Sequence, residues 1–168
     1  MASFMLSFLL IVSPLWPLGE NPLVGDPYVI VNTATNELAF IVEGEVKQEF
    51  QIATGHEYNQ TPEGEFNIIV KAMNPYYRKH DIEGGDKDNP LGTRWIGFDA
   101  NGTDGRIFGL HGTNQPSSIG SRITKGCVRL NNSDVEILYE VIPIGSKILI
   151  ISSEKNFEEL GREHGAIE

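Results

Sequence analysis

The sequence predicts a single, mainly β domain with one short helix late in the chain. Two observations support this fold class. Short segments rich in β-branched and other apolar residues alternate with turns, and the 168-residue chain has 18 glycines and 9 prolines to form those turns. A hydrophobic content of 40% is sufficient for one buried core, and the length is too short for two ordinary domains.

The first predicted strands form a hairpin that a third strand extends. Residues 28–31 are an apolar run, residues 32–36 a turn, and residues 37–42 a second run, which Glu43-Gly44-Glu45 closes. Residues 46–53 alternate between polar and apolar side chains, so one face of this strand is expected to be buried and the other hydrated.

Three more strands are predicted further along the chain. They lie at residues 66–72, 107–110 and 147–151, each of which is rich in apolar and β-branched residues. The strand at 107–110 would place the next residue, His111, at the rim of the sheet. The strand at 147–151 would close the domain.

The single predicted helix lies just before the last strand. Asn132 or Ser133 can cap its N-terminus, and the acidic residues Asp134 and Glu136 favour its first turn. Pro143 ends it. Beyond the last strand, residues 152–168 are rich in glutamate, which predicts an acidic tail that forms a solvated short helix or a frayed end.

A long segment between the predicted strands, residues 74–104, is rich in aromatic residues and glycine. A loop of this length is usually functional or disordered, and we interpret it as a flap over a groove. Its rings, Tyr76, Tyr77 and Trp95, are candidate platforms for a bound ligand, and ordinary packing is the alternative for each. The cluster Asp86-Lys87-Asp88 lacks EF-hand spacing and is interpreted as a solvated charge run.

The N-terminus carries information about cellular location. Residues 4–12 are an apolar run interrupted only by Ser7 and followed by Pro14 and Pro17, which is typical of the core of a signal peptide and short for a membrane span. No Lys or Arg precedes the run and no clear cleavage site follows, so an uncleaved membrane anchor and a buried N-terminal element are the alternatives. We therefore predict export, with residues 1–27 as a signal-like or anchoring segment and linker, and residues 28–151 as the folded domain.

Composition excludes two classes of partner. A net charge of −10 and a pI near 4.8 argue against nucleic acid, because phosphate binding requires a basic face. Zinc ligands occur at characteristic spacings in a sequence, and the histidines do not have such a spacing with the lone cysteine. We therefore predict no metal site that involves His56, His80, His111 and His164.

The strongest functional signal is the pair of His111 and Cys127, the only cysteine of the chain. The segment between them is rich in Gly, Ser and Thr and lacks the periodicity of a core element. An imidazole within reach of a thiol can take its proton, and the flanking Lys125 and Arg129 provide a positive setting that favours a reactive thiolate. The N–H groups of Lys125, Gly126 and Cys127 could bind an oxyanion if the turn is tight, which Gly126 permits. A structural role for either His111 or Cys127 alone is the alternative.

These motifs resemble those of the L,D-transpeptidase (YkuD-type) family, whose members remodel bacterial peptidoglycan. The resemblance rests on His111-Gly112-Thr113 with Thr124-Lys125-Gly126-Cys127-Val128-Arg129, on Ala53-Thr54-Gly55 with the Thr61–Phe66 motif, and on the segment from Asn89 to Trp95, so that it spans residues 28–151. Many members have Ser-His-Gly-Cys where this chain has Thr124-Lys125-Gly126-Cys127. The departure removes a second histidine and leaves His111 as the base.

The resemblance implies an L,D-transpeptidase-type fold, a β-sandwich or barrel-like domain with a short helix after the cysteine loop. It also implies that the Cys127 thiolate attacks stem tetrapeptides of peptidoglycan, with His111 as the base and the carbonyl of Gly112 orienting its ring. D-Alanine would leave, and an amine would complete a 3→3 cross-link. Arg129, Thr113, Trp95 and Tyr76 are the predicted substrate-binding residues, Arg129 having a loop-bracing ion pair as its alternative role. No cofactor is implied, and we expect a monomer.

Three other functions remain open at this stage. Water as the acceptor would make the protein an L,D-carboxypeptidase. A wall-binding module on the same fold, or a membrane-tethered structural protein, would need neither His111 nor Cys127. The resemblance does not specify the third residue of the stem peptide, or a role in growing wall or in spores.

Overall fold

The computed structural model describes residues 23–168 and is mainly β, as predicted. The apolar run predicted at residues 4–12 lies outside the described residues. Within the described range, no helix has both the length and the apolar character needed to cross a membrane. The strands are β1 (Tyr28–Asn32), β2 (Glu37–Val42), β3 (Glu45–Gln51), β4 (Thr54–Gly55), β5 (Gly64–Met73), β6 (Arg94–Phe98), β7 (Phe108–His111), β8 (Arg122–Thr124), β9 (Val128–Arg129) and β10 (Lys147–Ile151), and the α-helices are α1 (Asn132–Val141) and α2 (Phe157–Glu163).

Eight of these strands form one curled sheet in the order β3-β2-β1-β10-β5-β6-β7-β9. Most neighbours are antiparallel, but β1 runs parallel to β10 and β7 runs parallel to β9. The short strands β4 and β8 pair separately as a parallel ribbon. The β7–β9 pair at one edge of the sheet joins two distant parts of the chain and determines the position of the site described below.

Apolar side chains pack on both faces of the sheet. In β1, Val29 and Val31 point into a core that α1 covers with Val135 and Leu138. The alternate residues of β1 point to the other face, where α2 supplies a second core. Because side chains alternate along a strand, a central strand covered on both faces is apolar throughout, which explains the continuous apolar run at this position.

The C-terminal segment is not the solvated or frayed tail that its glutamates predicted. Phe157 and Leu160 of α2, followed by Ala166 and Ile167, are buried against the sheet. The helix begins with a capping box in which the Asn156 side chain accepts from the N–H of the third helical residue and that residue's carboxylate accepts from the N–H of Asn156. The glutamates lie on the outer face, so their number concealed a short amphipathic helix.

Helix α1 begins one residue earlier than predicted. Its N-cap is Asn131, whose amide donates to the Asp134 carboxylate at 3.3 Å, and neither Asn132 nor Ser133 caps it. Asp134 lies in the first turn, as expected, whereas Glu136 does not. The helix ends at Val141, two residues before Pro143. The side chain of Asn132 is therefore available for other contacts.

The predicted flap is shorter than residues 74–104, because strand β6 occupies part of that segment. The loop extends from Asn74 to Thr93, and its base is closed by the Asn74 N–H donating to the Thr93 carbonyl at 2.8 Å. The buried side chain of Asn89 holds the loop together. Its amide donates to the carbonyls of Pro75 at 2.8 Å and Glu83 at 3.1 Å, and its oxygen accepts from the Leu91 N–H at 2.9 Å.

Candidate active site

The parallel pairing of β7 and β9 brings the two candidate catalytic residues to one sheet edge. Leu110 pairs with Val128, and His111 pairs with Arg129. Cys127 immediately precedes β9, and the N–H of Leu130 donates to the carbonyl of His111 at 2.8 Å. The sixteen-residue separation in sequence is therefore closed by a direct strand contact.

Cys127 is a protonated thiol in this environment. Its Sγ donates to the carbonyl of Ile107 at 3.3 Å. Burial raises the pKa of Cys127 to about 11, although the nearby Gly109 N–H and the positive charge of Arg129 both lower it. The sequence analysis expected the positive setting to favour a thiolate. That expectation is wrong for the resting protein, because desolvation of the sulfur outweighs the single cation that reaches it.

The ring of His111, the second candidate catalytic residue, is neutral. The ring is only 5% exposed, and burial lowers its pKa to about 4. The Arg129 charge also lowers this pKa, while the carbonyls of Gly112 and Leu91 raise it. Nδ1 lies 2.6 Å from the Gly112 carbonyl oxygen, which is the contact that the sequence analysis expected. A neutral ring that donates from Nδ1 leaves Nε2 with a free lone pair, the arrangement that a general base requires.

Trp95 supports the imidazole from behind. Its ring stacks on that of His111, with centroids 5.7 Å apart and an angle of 15° between the planes, and its Nε1 donates to the Gly105 carbonyl at 2.8 Å. A Cβ at Gly109 would lie 2.6 Å from the indole, so glycine is needed there for the ring to lie on β7. Because Trp95 is only 8% exposed, it is not the substrate platform that the sequence analysis expected.

Two backbone N–H groups of the cysteine loop are free to bind an oxyanion. Gly126 has φ of +113°, which glycine tolerates, and its N–H donates to Thr124 Oγ1 at 3.3 Å. The same hydroxyl donates to the Cys127 carbonyl at 2.5 Å and so braces the turn. Within residues 23–168, the N–H groups of Lys125 and Cys127 have no acceptor. The predicted set of three donors thus reduces to two, and the Lys125 side chain is exposed to solvent.

Arg129 lies in β9, close enough for its charge to lower the pKa of both Cys127 and His111, and it has no acidic partner among the described residues. Its Nη1 donates to Ser118 Oγ at 2.9 Å, and its buried Nε has no acceptor within the part of the chain that is described. The loop-bracing ion pair that was the alternative is therefore not formed there, and a role in binding a substrate oxygen stays a prediction.

The other predicted substrate-binding residues lie in different settings. Thr113 is buried, and its hydroxyl accepts from the Gln115 N–H at 2.9 Å, so it shapes the loop after His111. Tyr76 is 43% exposed on the flap, where its hydroxyl donates to the Asp81 carboxylate. Tyr76 remains accessible to a ligand, and its role stays a prediction.

Asn132 is the site residue that the sequence analysis missed. Its Oδ1 accepts from the N–H groups of Thr113 at 3.0 Å and Thr93 at 3.3 Å, so it ties the loop after His111 to the base of the flap. Its place next to Asn131 at a helix start favoured a capping role. A helix needs only one N-cap residue, so the second of two adjacent asparagines at a helix start is available for another role. This was the only feature of the sequence that could have indicated the role of Asn132.

A separate polar cleft of about 420 Å³ flanks the cysteine loop. Gln60 marks the border between them, because a Cβ at Gly126 would lie 3.5 Å from its carbonyl oxygen. The cleft is lined by Thr33, Thr54, Gly55, His56, Glu57, Tyr58, Gln60, Thr61, Glu63, Arg122 and Ser152. Among residues 23–168, no group of three or more His, Cys, Asp or Glu side chains is arranged to hold a metal ion.

Comparisons with known proteins agree with this geometry. The YkuD model, which describes the L,D-transpeptidase catalytic domain, matches residues 26–150. The Bacillus subtilis protein YqjB, named as a candidate L,D-transpeptidase, is 55% identical over 99% of this chain and 95% of its own.

Solved structures show the same fold at low sequence identity. An L,D-transpeptidase from Mycobacterium smegmatis has a TM-score of 0.61 at 18% identity, covering 76% of this chain and 59% of its own. L,D-transpeptidase 3 from Mycobacterium tuberculosis, in complex with a faropenem-derived adduct, has a TM-score of 0.59 at 14% identity, covering 74% of this chain and 60% of its own. The chain therefore spans about three-fifths of these solved chains.

Proposed function

The chain belongs to the YkuD family of L,D-transpeptidase catalytic domains, and on this premise we propose that it is a cysteine-nucleophile L,D-transpeptidase acting on peptidoglycan stem tetrapeptides. One observation supports the proposal most strongly. A neutral His111 ends strand β7, and a protonated Cys127 immediately precedes its parallel neighbour β9, beside two unused backbone N–H groups. A nucleophile, a base and an oxyanion site are the groups that acyl transfer requires.

The first half-reaction transfers the acyl group to sulfur. Nε2 of His111 takes the thiol proton as Sγ of Cys127 forms a bond to the carbonyl carbon that links the L-centre of diaminopimelate or lysine to D-alanine. The N–H groups of Lys125 and Cys127 bind the oxyanion of the tetrahedral intermediate. The carbon–nitrogen bond then breaks, and the imidazolium returns its proton to the nitrogen of the departing D-alanine. A thioester remains on Cys127.

The second half-reaction releases the enzyme. An amine of a second stem peptide attacks the thioester carbonyl and forms a 3→3 cross-link, while His111 accepts the proton of the amine. The carbon–sulfur bond breaks and the sulfur regains that proton. His111 and Cys127 are both neutral before the reaction. Opposite charges, an imidazolium and an oxyanion, therefore exist only in the tetrahedral intermediate of each half-reaction, where the oxyanion donors stabilise the negative charge.

Two alternatives share this fold. Water in place of the amine would yield a tripeptide and an L,D-carboxypeptidase. A wall-binding module without catalysis is not favoured, because His111 and Cys127 are both present and the pairing of β7 with β9 brings them to the same sheet edge.

We further propose that the protein works outside the cytoplasmic membrane, where peptidoglycan lies. Residues 1–27 would serve as the export signal or as a membrane anchor. Fusing residues 1–27 to a reporter that is active only after export should give reporter activity, and its absence would contradict this location.

The function is tested by incubating the purified chain with disaccharide-tetrapeptide muropeptides and following the products by mass spectrometry. A dimer that has lost one D-alanine identifies the transpeptidase, and a disaccharide-tripeptide identifies the carboxypeptidase. Cys127→Ala should abolish both products with little loss of stability, because a small residue replaces a small one in a loop.

Two outcomes would contradict the proposal. Turnover that persists in Cys127→Ala would show that the nucleophile is another group. A folded wild-type protein that binds muropeptides without changing them would favour the wall-binding module.

A further inference from the structure

The carboxamide oxygen of Asn132 lies in a cradle made by two loops. It accepts from the N–H of Thr113 at 3.0 Å and from the N–H of Thr93 at 3.3 Å. The residues before these threonines are glycines, and a Cβ at either Gly92 or Gly112 would lie 2.1 Å from the oxygen. Only glycine at both positions allows the two loops to approach the oxygen this closely.

Both loops contact the ring of His111. Gly112, which directly precedes Thr113, places its carbonyl oxygen 2.6 Å from Nδ1. Thr93 is followed two residues later by Trp95, whose indole stacks on the imidazole. One oxygen therefore fixes the backbone at each of the two segments that hold the ring.

Asn132 also connects this support to the nucleophile. It is the first residue of α1 and lies five residues after Cys127 on a continuous segment that includes β9. Because β9 pairs with β7, the segment that carries the thiol also carries the acceptor that holds the loop after His111. Helix α1 is fixed against the core by the buried side chains of Val135 and Leu138. Its N-terminus therefore holds the Asn132 oxygen in a defined position.

We propose that Asn132 is a positioning residue that holds His111 in the Nδ1–H tautomer, with Nε2 directed to the substrate side. The proposal rests on the proposed role of His111 as the base. Without Asn132, the Thr113 N–H loses its acceptor and the Gly112 carbonyl is free to move away from Nδ1. A misplacement of about 1 Å at a catalytic group reduces turnover by roughly a hundredfold.

The tautomer and pKa of His111 can be measured directly by ¹⁵N NMR of histidine-labelled protein, with His111→Gln identifying its signals. The wild type should show the Nδ1–H tautomer and a pKa far below the usual value. In Asn132→Ala, the Nε2–H tautomer should become populated, and the pKa should rise toward about 6.5 as water reaches the ring. Asn132→Asp keeps an acceptor oxygen and should restore the wild-type tautomer.

Asn131→Ala is the matched control, because Asn131 is the neighbouring residue and its described side-chain contact is with Asp134 and not with either loop. On disaccharide-tetrapeptide, Asn132→Ala should reduce kcat about 30- to 100-fold with KM changed less than about threefold, and Asn132→Asp should recover most of this loss. Asn131→Ala should retain the wild-type NMR signature and turnover.

The proposal is overturned if His111 keeps the Nδ1–H tautomer and its low pKa in Asn132→Ala. It is equally overturned if Asn132→Asp fails to restore the tautomer. If Asn132→Ala does not fold, Asn132→Ser, whose hydroxyl stops short of both N–H groups, gives the same readout. Absence of turnover in the wild type would instead contradict the proposed function, and the NMR comparison would still decide the role of Asn132.

Discussion

Burial determines the protonation state of both candidate catalytic side chains. Desolvation raises the pKa of Cys127 to about 11 and lowers that of His111 to about 4, so that each is neutral across the physiological range. Arg129 acts in the same direction on both groups, since a nearby cation lowers the pKa of a thiol and of an imidazole alike. Its effect is smaller than that of burial at each residue. In the proposed reaction, the thiolate therefore forms during attack and not before it.

The resting thiol should therefore react slowly with a simple alkylating agent. Relative to the unperturbed pKa of 9.0 for Cys127, a pKa of about 11 reduces the thiolate fraction at pH 7 by about a hundredfold. Iodoacetamide labelling followed by intact mass should show this deficit, and the rate should climb as pH approaches 11. The same protein unfolded in guanidinium is the control. Labelling of the folded chain at pH 7 as fast as that of the unfolded chain would indicate a thiolate–imidazolium pair instead.

A substrate-like electrophile should still acylate Cys127, because the oxyanion donors and His111 act on it together. The carbonyl of a β-lactam is strained, and the resemblance to L,D-transpeptidases implies reaction with carbapenems. We expect one covalent adduct per chain, measured as the mass of the carbapenem added to the intact protein. Cys127→Ala should remain unmodified, and labelling that persists in that variant would place the reaction elsewhere.

At the scale of elements, the flap depends on one buried amide. Asn89 is 1% exposed and makes three hydrogen bonds within the loop. Asn89→Ala leaves those loop groups without a partner and should reduce the free energy of unfolding by about 1–3 kcal/mol. Hydrogen exchange at the N–H of Leu91 should accelerate.

The neighbouring Asp88→Ala is the control for the flap, since the Asp88 side chain is 73% exposed and pairs only with the exposed Lys87. It should change neither stability nor exchange measurably. Equal exchange rates in the two variants would show that Asn89 does not hold the loop.

Helix α2 provides a second test at this scale. Leu160 is fully buried against the sheet, so Leu160→Ala should reduce the free energy of unfolding by about 2–5 kcal/mol in urea titration. Glu158→Ala, on the exposed face of the same helix, should stay within about 0.5 kcal/mol of the wild type. A similar small effect for Leu160→Ala would restore the original interpretation of residues 152–168 as a solvated tail.

The elements that could be predicted are those whose signal is local. Strands β1 and β2 are continuous apolar runs, and His111 and Cys127 were identified together from a family motif. The pairing of β7 with β9 that joins them was not predicted. Strand β6 was missed because Trp95 lies in a stretch rich in Gly and aromatic residues that also has the composition of a loop. A short helix was one of the two alternatives predicted for residues 152–168, but the burial of α2 was missed, because only Phe157 and Leu160 reveal its apolar face among the glutamates.

The charge states of the site could not be predicted from the sequence. Lys125 and Arg129 are both near Cys127 in the chain, but desolvation depends on residues from several strands and outweighs them. The same is true of Trp95, which was identified as a ring near the site and turned out to lie behind the imidazole.

At the scale of the whole molecule, the shifted pKa values of His111 and Cys127 couple the free energy of unfolding to pH, one on the acidic side and one on the alkaline side. His111 has a folded pKa of about 4 against an ordinary value of 6.5, so between these values the unfolded chain binds a proton that the folded chain excludes. The stability is fully present above pH 6.5 and is lost as pH falls toward 4. Cys127 works in the opposite sense, because its raised pKa keeps the folded thiol protonated when the unfolded one ionises. Its contribution is lost as pH rises from about 9 to about 11.

The acidic side of this coupling can be isolated by comparing the wild type with His111→Gln, which carries no titrating ring at this position. The difference in free energy of unfolding between the two proteins should fall by on the order of 3 kcal/mol from pH 7 to pH 4, because a pKa change of this size corresponds to that free energy. Urea titrations at half-unit pH steps provide the measurement. Contributions from all other residues are common to the two proteins and cancel. A difference independent of pH would mean that His111 is as accessible to protons in the folded chain as in the unfolded one, and the neutral base on which the proposed acyl transfer depends would have to be replaced by a charged one.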